Sequence, residues 1–292
     1  MAGKARRTTR QASRSKKKAP VSLTGGKGFR YENSVAARFL LDMLTGKNSL
    51  GSEFGRVIRV DWQARDSGWL ADDLAIACRT AGGDERAAGI SVKSYQQLTR
   101  NGFDPEFVRI GWRQWLNQQT GRQFTRGADA IVLATSDLAG DVGRAWSELL
   151  SQALTAAPER VVGRLQEARG RGSQSSKIQR AIFNSLRFPD DLDRSQDTEL
   201  KDRVLLLRDI RVLAKDYNLP SSSDQAQALL DCQSCLVSRN TSEAGTLWDR
   251  LVGVADEKRP VGGSLDLPSL LTTLRNQFQF VDHPDFSADW LT

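Results

Sequence analysis

The spacing of apolar residues changes from a helical to a strand-like pattern within the first hundred residues, and this change constrains the fold more than any other feature. Over residues 31–44 the apolar residues recur every three or four positions, which predicts a helix with one apolar face. Three short segments with strand composition follow, at Arg56–Trp62, 72–78 and 89–95. Because the links between them are of hairpin length, the chain predicts a helix followed by an antiparallel start to a sheet.

The next segments continue the alternation of helices and strands. Asp104 and Pro105 have the chemistry of a helix start, and a helical pattern over residues 106–119 follows them. Residues 129–135 have the composition of a buried strand, and residues 140–154 have helical spacing. This order of elements predicts an α/β fold in which helices flank a mixed sheet.

From about Gly170 the pattern becomes mainly helical. Residues 203–214 are compatible with one more strand, whereas residues 222–238, 242–255 and 267–280 have helical spacing. We therefore divide the chain into a basic tail at 1–22, an α/β domain at 23–195 and a mostly helical accessory or linker region at 196–292.

The positive charge is concentrated at the N-terminus. Of the 42 lysines and arginines, eight lie in residues 1–20, which contain no acidic residue, so the rest of the chain is close to neutral. A basic segment without large apolar residues cannot form a core, and we expect it to be disordered. Its Lys16, Lys17 and Lys18, and a second basic patch with Arg169 and Arg171, could contact nucleic-acid phosphates without reading sequence. The alternative is that the tail only keeps the protein in solution.

Histidine and cysteine are too rare for several classes of site. A single histidine excludes a histidine-rich metal centre, so any hydrolytic metal would be held by oxygen ligands. Three cysteines are too few for a disulfide framework and suit a reducing compartment. No apolar run is long enough to span a bilayer, and no phosphate-binding loop of the GxxxxGK[ST] type occurs. We expect a cytoplasmic protein without a membrane partner.

Acidic and basic side chains occur at the ends of the predicted strands. Asp73 opens the second strand, and Ser91 and Lys93 share one face of the third, so Asp73 and Lys93 can meet on the sheet. Glu32 lies on the apolar face of the predicted helix, where a carboxylate is costly unless it binds something. Each residue has an ordinary interpretation by itself, as a helix-dipole partner, a loop acid or a solvated lysine. Together they predict oxygen ligands for Mg²⁺ or Mn²⁺ beside a cation that contacts a phosphate.

Three sequence motifs resemble those of one nuclease family. The motifs are GFRYENSVAARFLLDML (28–44), DDLAI (72–76) and ISVKSYQQL (90–98). They are similar to the helix-Glu, strand-Asp and (E/Q)-x-K signature of Mrr-like PD-(D/E)xK nucleases, in the form found as effectors of bacterial antiphage systems such as CBASS endonucleases and antiviral STAND proteins. The resemblance covers roughly residues 25–160. Segments from residue 221 onwards resemble the region that joins such effectors to an NTPase.

The resemblance implies a restriction-endonuclease-like fold for residues 23–195, a magnesium cofactor and double-stranded DNA as the substrate. Glu32, Asp73 and the backbone carbonyl of Val92 would hold the metal, and Lys93 would stabilise the attacked phosphate. The leading expectation is therefore a metal-dependent DNA endonuclease that acts in antiphage defence. Oligomerisation, through a downstream or partner NTPase or sensor module, would activate it.

One departure from the family pattern concerns the third strand. Ser91 stands where the family has Glu or Gln, and serine is a shorter and weaker metal ligand. Asp72 and Gln96 are nearby groups that could support the site. Two alternatives therefore stay open: a degenerate nuclease-fold module that binds nucleic acid or protein without cleavage, and a mainly architectural domain.

Overall fold

The computed structural model describes residues 21–117, 123–167, 173–190, 192, 199–217 and 221–281. The residues predicted to contact nucleic acid lie outside these ranges, namely Lys16, Lys17, Lys18, Arg169 and Arg171. Nearly all of the predicted tail at 1–22 lies outside them as well.

Helices and strands alternate along the described chain. The helices are α1 (Val21–Thr45), α2 (Pro105–Trp115), α3 (Gly140–Thr155), α4 (Pro158–Glu167), α5 (Gln174–Ser185), α6 (Glu199–Asp209), α7 (Ser223–Cys235), α8 (Thr241–Lys258) and α9 (Leu267–Leu274). The strands are β1 (Arg56–Trp62), β2 (Leu74–Arg79), β3 (Glu85–Lys93), β4 (Leu98–Thr99), β5 (Gly102–Phe103), β6 (Ala130–Thr135), β7 (Ile210–Ala214) and β8 (Gly263–Asp266). None of the described helices combines the length and the apolar character needed to cross a membrane.

Six of the described strands form one mixed sheet, in the order β7-β6-β3-β2-β1-β8. β1 pairs with β2 and with β8, and β2 pairs with β3, in antiparallel orientation. β3 pairs with β6, and β6 pairs with β7, in parallel orientation. β4 and β5 form a separate hairpin. The prediction of an α/β fold with a mixed sheet flanked by helices is confirmed.

Two apolar cores lie on opposite faces of the sheet, because successive residues of a strand point to opposite sides. On one face α1, α7, α8 and α9 pack over strand residues such as Leu74, Ile76 and Ile90. On the other face α2 to α6 pack over residues such as Ala75 and Ile131. The sheet is therefore covered on both sides, which explains why β6 is buried along its whole length.

Helix α1 is longer than the sequence pattern predicts. It begins at Val21, ten residues before Tyr31, and runs through a glycine-rich stretch at 24–28 that has the composition of a turn. Each glycine costs a helix only about 1 kcal/mol relative to alanine, which does not stop a helix whose later turns are anchored in a core.

Residues 203–214, predicted as one strand, are the end of a helix followed by a short strand. α6 continues to Asp209 and β7 starts at Ile210. The buried residues Val204 and Leu207 have the spacing of one helix face. A short apolar run fits either structure, and the strand prediction for 203–209 was wrong for this reason.

The region after residue 195 contributes to the sheet. β7 and β8 form its two edges, and β8 pairs with β1 from Arg59 opposite Asp266 to Trp62 opposite Gly263. Residues 196–292, predicted as an accessory region, thus supply both edge strands. The domain boundary near residue 195 stays a prediction.

Candidate functional site

The antiparallel pairing of β2 with β3 brings Asp73 and Lys93 together. Leu74 lies opposite Ile90, so Asp73 lies beside the last residues of β3. The Oδ2 atom of Asp73 accepts a 2.6 Å hydrogen bond from the Val92 amide and lies 3.3 Å from Lys93 Nζ. The Lys93 side chain is 37% exposed, so it stays accessible to a ligand.

Helix α1 adds a second carboxylate to this pair. Glu32 is half-buried at the beginning of the apolar face that packs on the sheet. Burial and the neighbouring Asp73 raise the pKa of Glu32 from 4.5 to about 7, while Arg259 and Lys93 oppose the increase. Asp73 and Lys93 are therefore close enough to Glu32 to influence its pKa. Their roles as catalytic residues stay a prediction.

Arg259 is a residue of this cluster that sequence reasoning missed. Its Cζ atom lies 4.1 Å from the centre of the Phe29 ring, and its guanidinium lies 3.5 Å from Asp256. Asp256 also accepts a 2.8 Å hydrogen bond from Asn33, the residue after Glu32. These contacts hold the end of α8 against α1. No sequence signal pointed to Arg259, because its proximity to Glu32 depends on the packing of two helices far apart in the chain.

A groove of about 310 Å³ adjoins the cluster on the side of α2. Lys93 is part of its lining, whereas Glu32 and Asp73 are not. The charged residues of the lining are the basic Arg65, Lys93, Arg109 and Arg113 and the acidic Asp72, Asp104 and Glu106. Tyr95, also in the lining, is 63% exposed. The groove therefore combines four basic and three acidic side chains with an accessible aromatic ring.

The residues predicted to support the site each have a place in the structure. Asp72 pairs with Arg65 at 2.9 Å on the surface. Ser91 is buried and lines the groove. Gln96 donates a 2.8 Å hydrogen bond to the carbonyl of Asp137, which ties it to the loop after β6. Their supporting role stays a prediction.

Glu32 and Asp73 are the groups of the cluster that could hold a metal ion. Their oxygens suit a hard cation such as Mg²⁺, which binds proteins through one or two carboxylates and keeps several waters. Within the described ranges, no group of three or more His, Cys, Asp and Glu side chains is arranged to hold a metal. The donor set therefore fits a water-rich site and not a closed one. The Val92 carbonyl stays a predicted ligand.

No protein-family profile and no curated protein matches the chain. Similar solved structures are Cap4 receptors that contain SAVED/CARF domains. The Acinetobacter baumannii receptor with the cyclic trinucleotide 2′3′3′-cAAA has a TM-score of 0.45 and 10% identity, with 86% of this chain and 46% of that chain covered. The same receptor with 3′3′3′-cAAA has a TM-score of 0.42 and 12% identity, with 86% and 46% covered. The Moraxella osloensis receptor has a TM-score of 0.45 and 10% identity, with 86% and 48% covered.

The chain thus spans less than half the length of these receptors. No residue role is carried over from them, because identities of 10–12% describe the fold alone.

These neighbours correct the functional expectation. They are described as receptors, two of them with a cyclic trinucleotide, and none of the three is described as a nuclease or a DNA complex. By this comparison the predictions of a magnesium-dependent deoxyribonuclease and of double-stranded DNA as partner are wrong, and the Mrr-like identity is not supported. An acid–lysine cluster suits phosphate binding as well as phosphate cleavage, so the motifs could not separate the two. The antiphage-defence context stays a prediction.

Proposed function

We propose that this chain is part of a receptor whose groove beside α2 binds a nucleotide ligand with phosphodiester groups, of the cyclic oligonucleotide class. The observation that carries the proposal is the position of Lys93, which contacts Asp73 and also lines the groove. Its ammonium is thus available to a phosphate that enters the groove. We place the receptor in the cytoplasm, where its three free cysteines stay reduced.

Phosphate recognition is assigned to the arginines of the groove together with the lysine. Arg65, Arg109 and Arg113 line it. Arg65 lies 2.9 Å from Asp72, and Arg109 lies 3.9 Å from Glu106, and both of these carboxylates are exposed. Exposed ion pairs are worth little, so a phosphate can replace these partners at small cost. Guanidinium groups suit phosphate because they donate two parallel hydrogen bonds.

Base recognition is assigned to Tyr95. Its ring is 63% exposed and lies two positions beyond Lys93, which suits stacking of a base while the phosphate contacts the lysine. A groove of about 310 Å³ is at the lower end of small-molecule sites. It would enclose a single nucleotide unit, and the remainder of a cyclic ligand would lie at the surface.

We assign the binding of a divalent cation, Mg²⁺ or Mn²⁺, to the two carboxylates of the cluster. Glu32 and Asp73 would hold it, and it would supply positive charge beside the phosphate. In this arrangement Lys93 remains paired with Asp73, which keeps the ammonium at the mouth of the groove.

The proposal is tested by isothermal titration of the full chain with 3′3′3′-cAAA in the presence of Mg²⁺. Lys93→Ala is expected to weaken binding at least about tenfold, because a charge-assisted hydrogen bond to phosphate is lost. Lys177→Ala is the matched control, since Lys177 is an exposed lysine of α5 outside the groove, and it should bind as the wild type does. Replacing Mg²⁺ by EDTA should weaken binding to the wild type and have no effect on Asp73→Asn.

Three outcomes would overturn the proposal. The first is an absence of binding by the wild type at millimolar ligand, and the second is equal affinity of Lys93→Ala and the wild type. The third is recovery of cleaved ligand by mass spectrometry after incubation with Mg²⁺, since a receptor releases its ligand intact.

A further inference from the structure

A second cavity lies at the opposite end of the sheet from the candidate site. Its volume is about 320 Å³, and it is lined by residues at the beginnings of β3, β6 and β7. Arg86 belongs to this lining, and seven positions of β3 separate it from Lys93. At the rise of a strand, these two residues are roughly 20 Å apart. The cavity is therefore separate from the groove beside α2.

Four arginines line the cavity, namely Arg86, Arg126, Arg208 and Arg211. Arg208 has a structural role, because its guanidinium donates hydrogen bonds of 2.8 and 2.9 Å to the carbonyls of Ala153 and Ala156 at the end of α3. Arg126 donates one hydrogen bond to the Trp115 carbonyl at 3.3 Å, and Arg211 donates two, to the carbonyls of Arg208 and Ile210. Because a guanidinium carries five donors, Arg86, Arg126 and Arg211 still have N–H groups left for a ligand.

Two of these arginines are held in position by aromatic rings. The Cζ atom of Arg126 lies 3.6 Å from the centre of the Trp115 ring, and that of Arg211 lies 5.2 Å from the centre of the Phe54 ring. Stacking on a ring leaves the edge of the guanidinium plane free to donate hydrogen bonds. Side chains that are already ordered lose less conformational freedom when a ligand binds.

The acids beside the arginines are engaged by other donors. Asp209 accepts hydrogen bonds from the Trp115 indole at 2.9 Å and from a backbone amide at 3.1 Å. Asp129 accepts hydrogen bonds from two backbone amides, both at 2.9 Å. Among the residues that the structure describes, no carboxylate lies within ion-pair distance of Arg86 or Arg126. The positive charge of the cavity is thus only partly balanced.

The pKa of Arg211 is consistent with this imbalance. Burial lowers the pKa, and the nearby Arg86 lowers it further, against the opposing effects of Glu53 and Asp209. The partner Glu53 is half-exposed and lies 3.5 Å away. An anion in the cavity would stabilise both guanidinium charges.

We infer that this cavity binds a small phosphate-bearing molecule, up to the size of a nucleoside monophosphate. Arg86 and Arg126 can each direct paired N–H donors at phosphate oxygens, which is the recognition that arginine performs best, and Arg211 can add a further contact. Phe54 and Leu154 provide an apolar wall for the rest of the ligand. A volume of about 320 Å³ fits a ligand of this size.

The experiment is a calorimetric titration of the full chain with inorganic pyrophosphate, in EDTA and at low ionic strength. The double variant Arg86→Gln/Arg126→Gln should bind pyrophosphate at least about tenfold more weakly than the wild type, because two charge-assisted contacts are lost. The control Arg144→Gln/Arg160→Gln removes two exposed arginines outside the lining and should keep the wild-type affinity.

The single variant Arg86→Gln distinguishes a loss of binding from a loss of structure in the double variant. Arg86 makes no ion pair within the described ranges, so its replacement should leave the thermal midpoint unchanged while it weakens binding. The inference is overturned if Arg86→Gln binds pyrophosphate as the wild type does, or if the control pair loses as much affinity as Arg86→Gln/Arg126→Gln. Failure of the wild type to bind at millimolar pyrophosphate also overturns it.

Discussion

Glu32 shows how the protonation of one carboxyl group reflects its surroundings. It is half-buried beside Asp73, and Arg259 and Lys93 compensate only in part, so its pKa is about 7 and not 4.5. Between these two pH values the folded chain keeps a proton that the unfolded chain loses. The stability that Glu32 contributes is therefore fully present below pH 4.5 and is lost as the pH rises through 7.

Replacing Glu32 with glutamine removes this ionisation. Glu32→Gln is expected to raise the free energy of unfolding at pH 8 by about 1–2 kcal/mol, a value reduced from the full shift because solvent screens a half-buried group. At pH 4.5 the variant and the wild type should be equally stable. Urea unfolding in EDTA at the two pH values measures the difference. Glu167→Gln, at an exposed position of α4, is the control and should change neither value.

A Glu32→Gln protein that is less stable than the wild type at pH 8 would contradict this account, because it would mean that the ionised carboxylate is favourable in the fold.

Among single residues, the proximity of Asp73 to Lys93 was predictable from local pairing, whereas the proximity of Arg259 to Glu32 was not. Asp73 and Lys93 belong to neighbouring strands joined by a short turn, so strand alternation and spacing were enough to bring them together. Arg259 and the arginines of α2 reach the site only through the arrangement of helices on the sheet. Nothing in the local sequence encodes that arrangement.

At the scale of one element, Gly89 sets how closely β3 can approach the loop before β2. A Cβ atom at this position would lie 2.2 Å from Cε3 of the buried Trp69. No rotation of a methyl group relieves that overlap, so either the indole or the strand must move. Gly89→Ala should therefore lower the free energy of unfolding by about 1–3 kcal/mol.

Gly163→Ala is the matched control for Gly89→Ala. Gly163 lies inside α4, and a Cβ atom there has no neighbour within 4 Å. It should raise the free energy of unfolding by about 0.5–1 kcal/mol, because alanine is the better helix former. Thermal unfolding of the two variants is expected to shift in opposite directions. A shift of both in the same direction would show that the contact with Trp69 is not the cause.

A buried charge cluster connects α1 with α7. Asp231 accepts hydrogen bonds of 2.6 Å from Arg38 and 2.6 Å from Lys47, and Arg38 also pairs with Asp42 at 2.7 Å. Although burial acts to raise the pKa of Asp231, the hydrogen bonds from Lys47 and Arg38 lower it below its usual value. Arg38 and Asp231 are both almost fully buried, so neither charge can be left without its partner at low cost.

Removal of Asp231 tests this cluster. Asp231→Ala should lower the free energy of unfolding by about 3–5 kcal/mol, since it leaves a buried guanidinium short of a counter-charge. Asp249→Ala, at an exposed position of α8, should change it by less than about 0.5 kcal/mol. Both values come from urea unfolding at neutral pH. If the two variants lose the same amount, the cluster does not anchor α7 to α1.

The elements themselves were predictable to the extent that their patterns are local. β1 has three β-branched residues between turn signals, and its predicted and observed bounds agree. β8 was not predicted, because Gly263–Asp266 has little strand character and becomes a strand only by pairing with β1. The apolar run before Ile210 fitted a strand as well as a helix, and packing on α3 and α4 selected the helix.

At the scale of the whole molecule, both edges of the sheet and much of one core come from the region after residue 195. β7 covers the edge of β6, and β8 covers the edge of β1. Helices α7, α8 and α9 complete the core that α1 begins. The first 195 residues alone would therefore expose two unpaired strand edges and the apolar face of α1.

A chain ending at residue 195 is accordingly expected not to unfold cooperatively and to bind dyes that recognise exposed apolar surface. Circular dichroism melting and dye fluorescence measure these properties. A chain that begins at Val21 keeps every contact among the described residues and serves as the control, with a melting curve like that of the full protein. A cooperative transition in the 1–195 fragment would instead establish it as an independent domain.

The pairing of β1 with β8 also has a consequence for synthesis in the cell. β1 is complete once Trp62 has been added, but its partner begins at Gly263. At ordinary translation speeds the nascent chain waits roughly 10–40 s for that partner. During this interval β1 has no partner on one side. Chaperone binding to the growing polypeptide should therefore be strongest before β8 has been made and is free to pair with β1.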